Sequence, residues 1–147
     1  MKTFEELKEE LLTRAKNADA CQSGYAMGLR SNTKADLLKA ITENWFWVLV
    51  EAKIVDAEYL EDNFTEEELS QAGIYTKNTH KVRTASFACG SATVEAYDGA
   101  TVEAYENSYV EDCTGNIRPE SDYAIVKDYH NHKIYIKKGK FEIIEID

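Results

Sequence analysis

The sequence predicts an α+β protein in which a small helical domain, residues 1–80, precedes a short β-solenoid or β-roll, residues 81–147. Two changes along the chain lead to this prediction. Up to about residue 76, apolar residues recur at helical spacing behind helix-capping signals. From about Val82, the chain instead repeats eight-residue units, most clearly ATVEAYDG at 92–99 and ATVEAYEN at 100–107. A length of 147 residues suits one compact domain or two small ones.

Capping motifs mark the helices of the first half. Thr3-x-x-Glu6 and Thr65-x-x-Glu68 each match a capping box, in which a hydroxyl and a carboxylate satisfy reciprocal backbone donors. Gly73 fits the position that follows a helix. A helix is also expected near 18–29, although Gly24 and Gly28 weaken it. Asn32 or Thr33 can cap the next helix, and Asp56 can cap a later one. We expect these helices to pack around Trp45, Phe46, Trp47 and Leu49.

The repeats alternate strictly between two kinds of side chain. In the two clearest units, small apolar residues occupy positions one, three and five, and Thr, Glu and Tyr occupy positions two, four and six. A looser third unit, SYVEDCTG, follows at 108–115. Positions seven and eight, such as Asp98-Gly99, are typical of turns. Each unit is therefore predicted to be a strand with a small apolar inner face. Asp112 takes an inward position in the third unit.

The repeat fits two architectures, a β-meander and a solenoid. Asp-Gly between alternating strands is typical of a hairpin. However, a two-residue turn at 98–99 would pair Tyr97 with Ala100, and paired residues share a face. The apolar face would then switch sides in every strand. In a chain that keeps winding the same way, an even period keeps the apolar face inward in every strand. A coil would then contain about sixteen residues if it has two strands, or about twenty-four if it has three. The solenoid is therefore preferred over a twisted antiparallel sheet.

The repeat register extends beyond the clearest units. The segment 84–91 fits loosely, 116–123 is degenerate, and 124–131 fits well. The segment 132–139 is predicted to continue the coil with Ile134 and Ile136 inward. A solenoid needs caps at its ends. We expect the helical half to cap one end and the apolar tail KFEIIEID to close the other, beside the edge-guarding residues Lys137, Lys138 and Lys140.

Two acidic surfaces are the candidate binding sites. The outward side chains of the repeats are predicted to stack in rows as a flat, anionic platform for a partner, at Glu95, Tyr97, Glu103, Tyr105, Tyr109 and Glu111. Such rows could also serve only to favour β-structure. A second patch lies in the segment from Asp56 to Glu68, which has seven acids and no base, at Glu58, Glu61, Asp62, Glu66 and Glu67. The simpler interpretation is a solvated face with helix-dipole complements.

Charge and composition narrow the partners. A net charge of −10 disfavours nucleic acids and anionic membranes and favours a basic protein surface, although an acidic surface also simply aids solubility. The longest apolar run, residues 45–50, is too short to span a bilayer. Three cysteines without a C-x-x-C motif suit reduced thiols in the cytoplasm. Cys21 and Cys89 are expected to be small buried residues.

No motif predicts an enzyme or a cofactor. Gly-x-Ser-x-Gly, P-loop and Gly-x-Gly-x-x-Gly patterns do not occur in the sequence. Calcium-binding nonapeptides do not occur either. His130-x-His132 would place two imidazoles on one face of a strand, but a third metal ligand is not evident. We therefore predict a non-enzymatic protein without a metal or cofactor.

Several short motifs occur in order along the chain: Ala20-Cys21 before Gly24-Tyr25, then ITENWFWV, then QAGIY ahead of the repeats. Together they resemble a loose group of uncharacterised bacterial and phage-borne proteins with a helical head and β-repeats. The resemblance implies a phage or mobile-element origin and transfers no site residues. By analogy, it suggests an inhibitor of a host nucleic-acid-binding defence enzyme, of the anti-CRISPR or DNA-mimic type. The alternative is a structural module that assembles with itself or binds a glycan.

Overall fold

A computed structural model describes residues 1–136 and divides the chain into two compact units, Met1–Ile74 and Tyr75–Asp147. We call them the helical unit and the solenoid unit. The model has the predicted α+β arrangement of N-terminal helices followed by a β-solenoid of about three turns. No helix within residues 1–136 is long and apolar enough to cross a membrane. The predicted tail and the lysines at 137, 138 and 140 lie outside the described residues.

The helical unit is built from five short α-helices and one π-helical turn, in which backbone hydrogen bonds span five residues instead of four. All of its residues are described. The elements, in chain order, are α1 (Phe4–Asn17), α2 (Gln22–Arg30), α3 (Lys34–Glu43), the π-helical turn (Trp47–Glu51), α4 (Ala57–Asn63) and α5 (Glu66–Gln71).

The helix starts follow the predicted caps. At α1, the Thr3 backbone N–H donates to Glu6 Oε2 at 2.8 Å, and the Glu6 N–H donates to Thr3 Oγ1 at 3.2 Å. The same reciprocal pair joins Thr65 and Glu68 at α5. The other predicted caps are also confirmed, with Thr33 rather than Asn32 at α3, Asp56 at α4, and Gly73 in the left-handed region (φ 76°) after α5.

Large side chains fill the core of the helical unit. Trp45 is only 2% exposed and Leu49 is buried, as predicted. Phe46 is 41% exposed, so its predicted core position is wrong, and Trp47 is only partly buried. The reason is that consecutive residues on a helical turn point in different directions, so a run of four cannot all face inward. The core is completed by Leu7, Leu38, Leu60 and Phe64.

The solenoid unit has two sheets, and the strands of one coil are divided between them. One sheet has the order β1-β3-β5 and the other the order β2-β4-β6-β7-β8. We call them the three-stranded and the five-stranded sheet. The strands are β1 (Ile74–Tyr75), β2 (Thr79–Val82), β3 (Ser86–Ala88), β4 (Thr93–Ala96), β5 (Val102–Ala104), β6 (Tyr109–Asp112), β7 (Ile125–Asp128) and β8 (Lys133–Ile136).

Strand register confirms a winding chain with two strands per coil. The pairs β3–β5, β4–β6 and β6–β7 are parallel, and each shifts the chain by sixteen residues, as in Val94↔Val110 and Val110↔Val126. The first coil is shorter, because β2 pairs with β4 at Thr79↔Thr93. The degenerate unit at 116–123 keeps only a single parallel bridge, Ala104↔Pro119. Pro119 has no N–H to donate to a strand ladder, which accounts for the weak pairing there.

Small side chains stack inside the coils. Val94, Val110 and Val126 lie in register and have no exposed surface. Ala88, Ala96 and Ala104 are equally buried, so the inner face is the predicted small apolar one. These side chains stack because neighbouring coils bury each other's inward residues.

The corners of the coils use left-handed backbone conformations. Gly90, Asp98 and Glu106 occupy the same repeat position, with φ values of 58°, 55° and 53°. Glycine tolerates this region, and Asp does so better than most residues. Glu106 gains a compensating contact, since its Oε2 accepts a hydrogen bond from the Gly90 N–H at 2.7 Å. This hydrogen bond therefore links one corner to the preceding coil.

Asp112 faces inward as predicted and is fully buried. A buried carboxylate requires hydrogen bonds to replace water. Asp112 Oδ1 accepts from the backbone N–H of Thr114 at 2.7 Å and of Gly115 at 3.2 Å, and Oδ2 accepts from Ile117 N–H at 3.1 Å. One coil later, Asp128 likewise accepts hydrogen bonds from the backbone and side-chain nitrogens of Asn131. The inward acids are therefore turn-closing groups.

The last described strand departs from the prediction. β8 pairs with β7 in antiparallel fashion, through a turn at 129–132, instead of continuing the coil. Across this four-residue turn, Tyr135 pairs with the inward Val126, and paired residues share a face. Tyr135 consequently packs towards the core, while Ile134 and Ile136 are 62% and 41% exposed. Their predicted inward position is wrong for this reason.

Candidate binding surfaces

The outer face of the five-stranded sheet carries two rows of side chains, because residues in register lie side by side. The first row is Thr79, Thr93, Tyr109, Ile125 and Ile136. The second row is Lys81, Glu95, Glu111, Lys127 and Ile134. The second row therefore has two central acids between two bases, followed by an apolar residue.

The predicted single row of repeat glutamates does not form. Glu95 and Glu111 are neighbours on the five-stranded sheet, but Glu103 lies on the three-stranded sheet, where Phe87 is its neighbour. The reason is that each coil contains two strands, so successive eight-residue units alternate between sheets. Lys81 and Lys127 also offset the charge of the two acids. The outer face of the five-stranded sheet is therefore not the anionic platform that the sequence predicted.

The three tyrosines assigned to the platform have separate positions. Tyr105 is 2% exposed, so its predicted outward position is wrong. It directly follows the last residue of β5, at a corner, where strand alternation no longer holds. Tyr97 is partly buried, with the Arg83 guanidinium 5.5 Å from its ring centre. Tyr109 is partly buried in the first row, beside Thr93 and Ile125.

Glu103 and Tyr105 form a small electrostatic cluster with Glu120. Burial and the nearby Glu120 raise the pKa of Glu103 above its ordinary value of 4.5, although the Tyr105 hydroxyl, which donates to the carboxylate, acts in the opposite direction. Burial, followed by the charges of Glu103 and Glu120, raises the pKa of Tyr105. Tyr105 therefore stays protonated and serves as a hydrogen-bond donor to Glu103. No chemistry beyond this contact is indicated.

The second predicted patch lies on α4 and α5, and all five of its side chains are exposed. We call Glu58, Glu61, Asp62, Glu66 and Glu67 the α4–α5 acidic surface. Of the seven acids in the segment, the other two have structural roles: Asp56 Oδ1 accepts from Tyr59 N–H at 2.8 Å, and Glu68 completes the α5 capping box. Within α4, residues 58, 61 and 62 share one face, since positions three and four apart are neighbours on a helix.

Negative charge is concentrated in the helical unit. Residues 1–74 contain fifteen acids and eight bases, whereas residues 75–147 contain twelve acids and nine bases. The helical unit therefore has a net charge of −7 and the solenoid sequence one of −3. The acidic character of the chain is thus mainly a property of the helical unit and not of the repeats.

Histidine and cysteine positions differ from the predictions. His130 and His132 lie in the turn between β7 and β8 rather than on a strand. Within the described part of the chain, no three His, Cys, Asp or Glu side chains group together as metal ligands. Cys89 is buried as expected, but Cys21 is exposed and caps α2, where its sulfur accepts from Gly24 N–H at 3.4 Å. Sequence spacing could not separate these cases, since an N-cap cysteine has no distinctive pattern.

Comparison of the chain with protein-family models, with curated proteins and with solved structures finds no match in any of the three.

Proposed function

We propose that the protein is a non-enzymatic binding module that uses the α4–α5 acidic surface to occupy a basic site on another protein. The observation that carries this proposal is the division of labour among the seven acids of the segment. Asp56 and Glu68 cap helices, whereas the five residues of the α4–α5 acidic surface have exposed side chains and no base within the segment.

Charge favours a partner that normally binds nucleic acid. Residues 58 and 62 are about one helical turn apart, about 6 Å along the axis, and regularly spaced negative charge is what a basic nucleic-acid channel recognises on a phosphate backbone. A host defence enzyme, such as the effector that an anti-CRISPR protein blocks, has a channel of this kind. Such an enzyme is the partner class that we propose for a chain of phage or mobile-element origin, acting in the host cytoplasm.

The test is a comparison of two charge-reversed variants. Glu58→Lys with Glu61→Lys reverses charge on α4, and the matched control, Glu5→Lys with Glu9→Lys, makes the same change at exposed positions of α1. The immobilised proteins are exposed to host lysate with and without duplex DNA, and bound proteins are identified by mass spectrometry. We expect wild type and the α1 control to retain the same nucleic-acid-binding protein, which DNA displaces, and the α4 variant to lose it. Equal retention by all three would disprove the proposal.

A second candidate function, self-assembly, is favoured by the outer face of the five-stranded sheet. Ile125, Ile134 and Ile136 are exposed there, at 36%, 62% and 41%. A two-fold axis along the strands, between β6 and β7, would place Glu111 opposite Lys127 of a second copy and Tyr109 opposite its Ile125. Apolar contacts with opposite charges beside them are typical of homodimer interfaces.

Light scattering over a concentration series tests this assembly. We expect a dimer for wild type and a monomer for Ile134→Lys, while Leu29→Lys, at an exposed position of the helical unit, stays dimeric. Glu111→Lys should also weaken the dimer, and adding Lys127→Glu should restore it, because the charges are then exchanged. A wild type that stays monomeric throughout the series would exclude assembly through this face.

A further inference from the structure

The helical unit contains an apolar cavity of about 230 Å³ that the proposed function does not use. It is bounded by α1, α2, α3 and the π-helical turn and is partly open to solvent, and none of the residues of the α4–α5 acidic surface lines it. Its walls are almost entirely apolar. Small residues from three helices face it, including Ala15, Gly24, Gly28 and Ala40, and Trp47 and Val48 of the π-helical turn add a larger wall.

The glycines of α2 let this helix approach its neighbours closely at the cavity wall. A Cβ atom at Gly28 would lie 2.9 Å from Leu12 Cδ2, and one at Gly24 would lie 3.2 Å from Asn44 Oδ1. None of the residues of α2 is buried, so this helix covers the space rather than filling it. The π-helical turn widens the opposite wall, where Trp47 carbonyl oxygen accepts from Ala52 N–H. Such turns occur frequently at functional sites.

Residues with polar side-chain groups, such as Cys21, Tyr25 and Asn44, line the cavity, and Asn44 defines the chemistry of a ligand. The Asn44 side-chain nitrogen donates to the Ala40 carbonyl oxygen at 2.8 Å and lies 3.8 Å from Met27 Sδ. The amide oxygen is therefore directed the other way, towards Gly24, where a Cβ atom would lie 3.2 Å from it. A ligand that fills this space needs an apolar body and one donor. Charged groups are disfavoured, since almost all of the wall could not solvate them.

We propose that this cavity binds a small neutral aromatic molecule of about two fused rings that donates one O–H or N–H hydrogen bond to Asn44 Oδ1. The volume of the cavity sets the number of rings in the ligand. An apolar protein cavity of about 150 Å³ accommodates benzene, and this one is about half as large again. Water is a poor occupant, since it needs several polar partners and the wall offers few.

Direct binding of 2-naphthol tests the proposal, with 2-methoxynaphthalene as a matched ligand that lacks the donor. Calorimetry should give one saturable site for 2-naphthol, and Trp47 fluorescence should change with the same midpoint. Loss of one hydrogen bond should weaken binding of the methoxy compound about five- to tenfold. Absence of a saturable site, or equal affinity for the two compounds, would overturn the proposal.

Cavity-filling variants locate the site. Ala40→Leu adds side-chain volume inside the cavity, and Ala35→Leu adds the same group at an exposed position of α3 that does not line it. We expect at least about a tenfold loss of 2-naphthol affinity for Ala40→Leu and no change for Ala35→Leu. Ala15→Leu on α1 is a second filler, which keeps the test valid if Ala40→Leu folds poorly. Unchanged affinity in a folded filler variant would place the site elsewhere.

Cys21 supplies an independent readout, because its thiol lies at the cavity rim. Hydrogen bonds from Ser23 and then from the Gly24 N–H lower the pKa of this thiol, which favours reaction with iodoacetamide. In a Cys113→Ser background, Cys21 is the exposed cysteine and Cys89 is buried. Saturating 2-naphthol should slow alkylation of Cys21 several-fold in this background and not in the Ala40→Leu version of it. An alkylation rate that 2-naphthol leaves unchanged in the first protein would contradict the assigned site.

Discussion

The two units of the chain build their hydrophobic cores from different kinds of side chain. The helical unit buries large side chains of differing shape, such as Trp45, Leu60 and Phe64. The solenoid unit buries a repeated small set, mainly Val and Ala, in register between neighbouring coils. A helical core depends on how individual shapes fit together. A solenoid core depends more on backbone ladders and on corners that close correctly.

Buried polar groups show the same contrast. The solenoid unit hides two carboxylates, Asp112 and Asp128, and uses them to bind backbone N–H groups of its turns. Burial acts to raise the pKa of Asp128, but hydrogen bonds from Asn131 outweigh it and hold the pKa below its ordinary value. In the helical unit, helix ends are satisfied by exposed caps instead. Loss of one inward acid should therefore harm the solenoid more than loss of one cap harms the helices.

The largest expected effect is that of Asp112→Ala. Removing this carboxylate takes the acceptor from the buried N–H groups of Gly115 and Ile117 and from the partly buried N–H of Thr114. Each loss costs about 1–3 kcal/mol when the group is buried, so we expect the free energy of unfolding to fall by about 4 kcal/mol. Asp122→Ala, at an exposed position, should change it by less than about 0.5 kcal/mol. Denaturant titration monitored by hydrogen exchange of solenoid peptides provides the measurement. Similar losses for the two variants would refute the turn-closing role.

Leu60→Ala should have the next largest effect and should act through the other unit. Leu60 has no exposed surface, and loss of such a side chain costs about 3 kcal/mol through lost burial and the cavity left behind. Leu29→Ala, at 51% exposure, is the control. Both tryptophans lie in the helical unit, so their fluorescence reports its unfolding. If Asp112→Ala shifts the tryptophan transition as much as Leu60→Ala does, the two units unfold as one.

Thr65→Ala measures what a cap contributes in the helical unit. The substitution removes the hydroxyl that accepts from Glu68 N–H at 3.1 Å, and we expect a loss of about 1 kcal/mol in the free energy of unfolding. Thr65→Ser keeps the acceptor and should restore most of it. Thermal unfolding followed by tryptophan fluorescence gives both values. A loss for Thr65→Ala as large as that for Asp112→Ala would remove the contrast between exposed caps and inward acids.

Glu103→Gln should have the smallest effect and should depend on pH. Because the folded state raises the pKa of Glu103 above 4.5, this group favours folding when protonated, and that contribution is lost as pH rises through the folded-state pKa. The variant should thus be more stable than wild type at neutral pH, by less than about 0.5 kcal/mol for an exposed side chain. The difference should close towards pH 4.5. Glu61→Gln controls for loss of net charge, and equal pH dependence in both variants would contradict the local cause.

Much of the architecture could be predicted because it rests on short-range rules. The capping pairs at Thr3 and Thr65 were readable, since a cap and its partner are three residues apart. The choice of a winding chain over a meander could be predicted from parity, since an even period keeps the same residues inward. The candidate surfaces were harder. The row that joins Lys81, Glu95 and Lys127 becomes visible only once the number of strands per coil is known.

Two of the remaining errors depend on where the chain changes direction. Tyr105 is buried because a corner follows β5, and Ile134 and Ile136 point outward because β8 pairs with β7 across a turn. No local pattern in the repeats specifies these events, because each results from packing between residues distant in sequence. The error at Phe46 has a different cause, since consecutive residues on a helical turn cannot all face inward.

By itself, the sequence determined the two structural classes, their order, the helix caps and the inward Val and Ala of the repeats. These follow from local hydrogen bonding and from the periods of the helix and the strand. Only the tertiary structure decided that a coil has two strands, which divides Glu95 and Glu111 from Glu103 and leaves the α4–α5 acidic surface as the stronger concentration of charge. Coil closure is settled by contacts between residues sixteen positions apart, which the eight-residue period is compatible with but does not dictate.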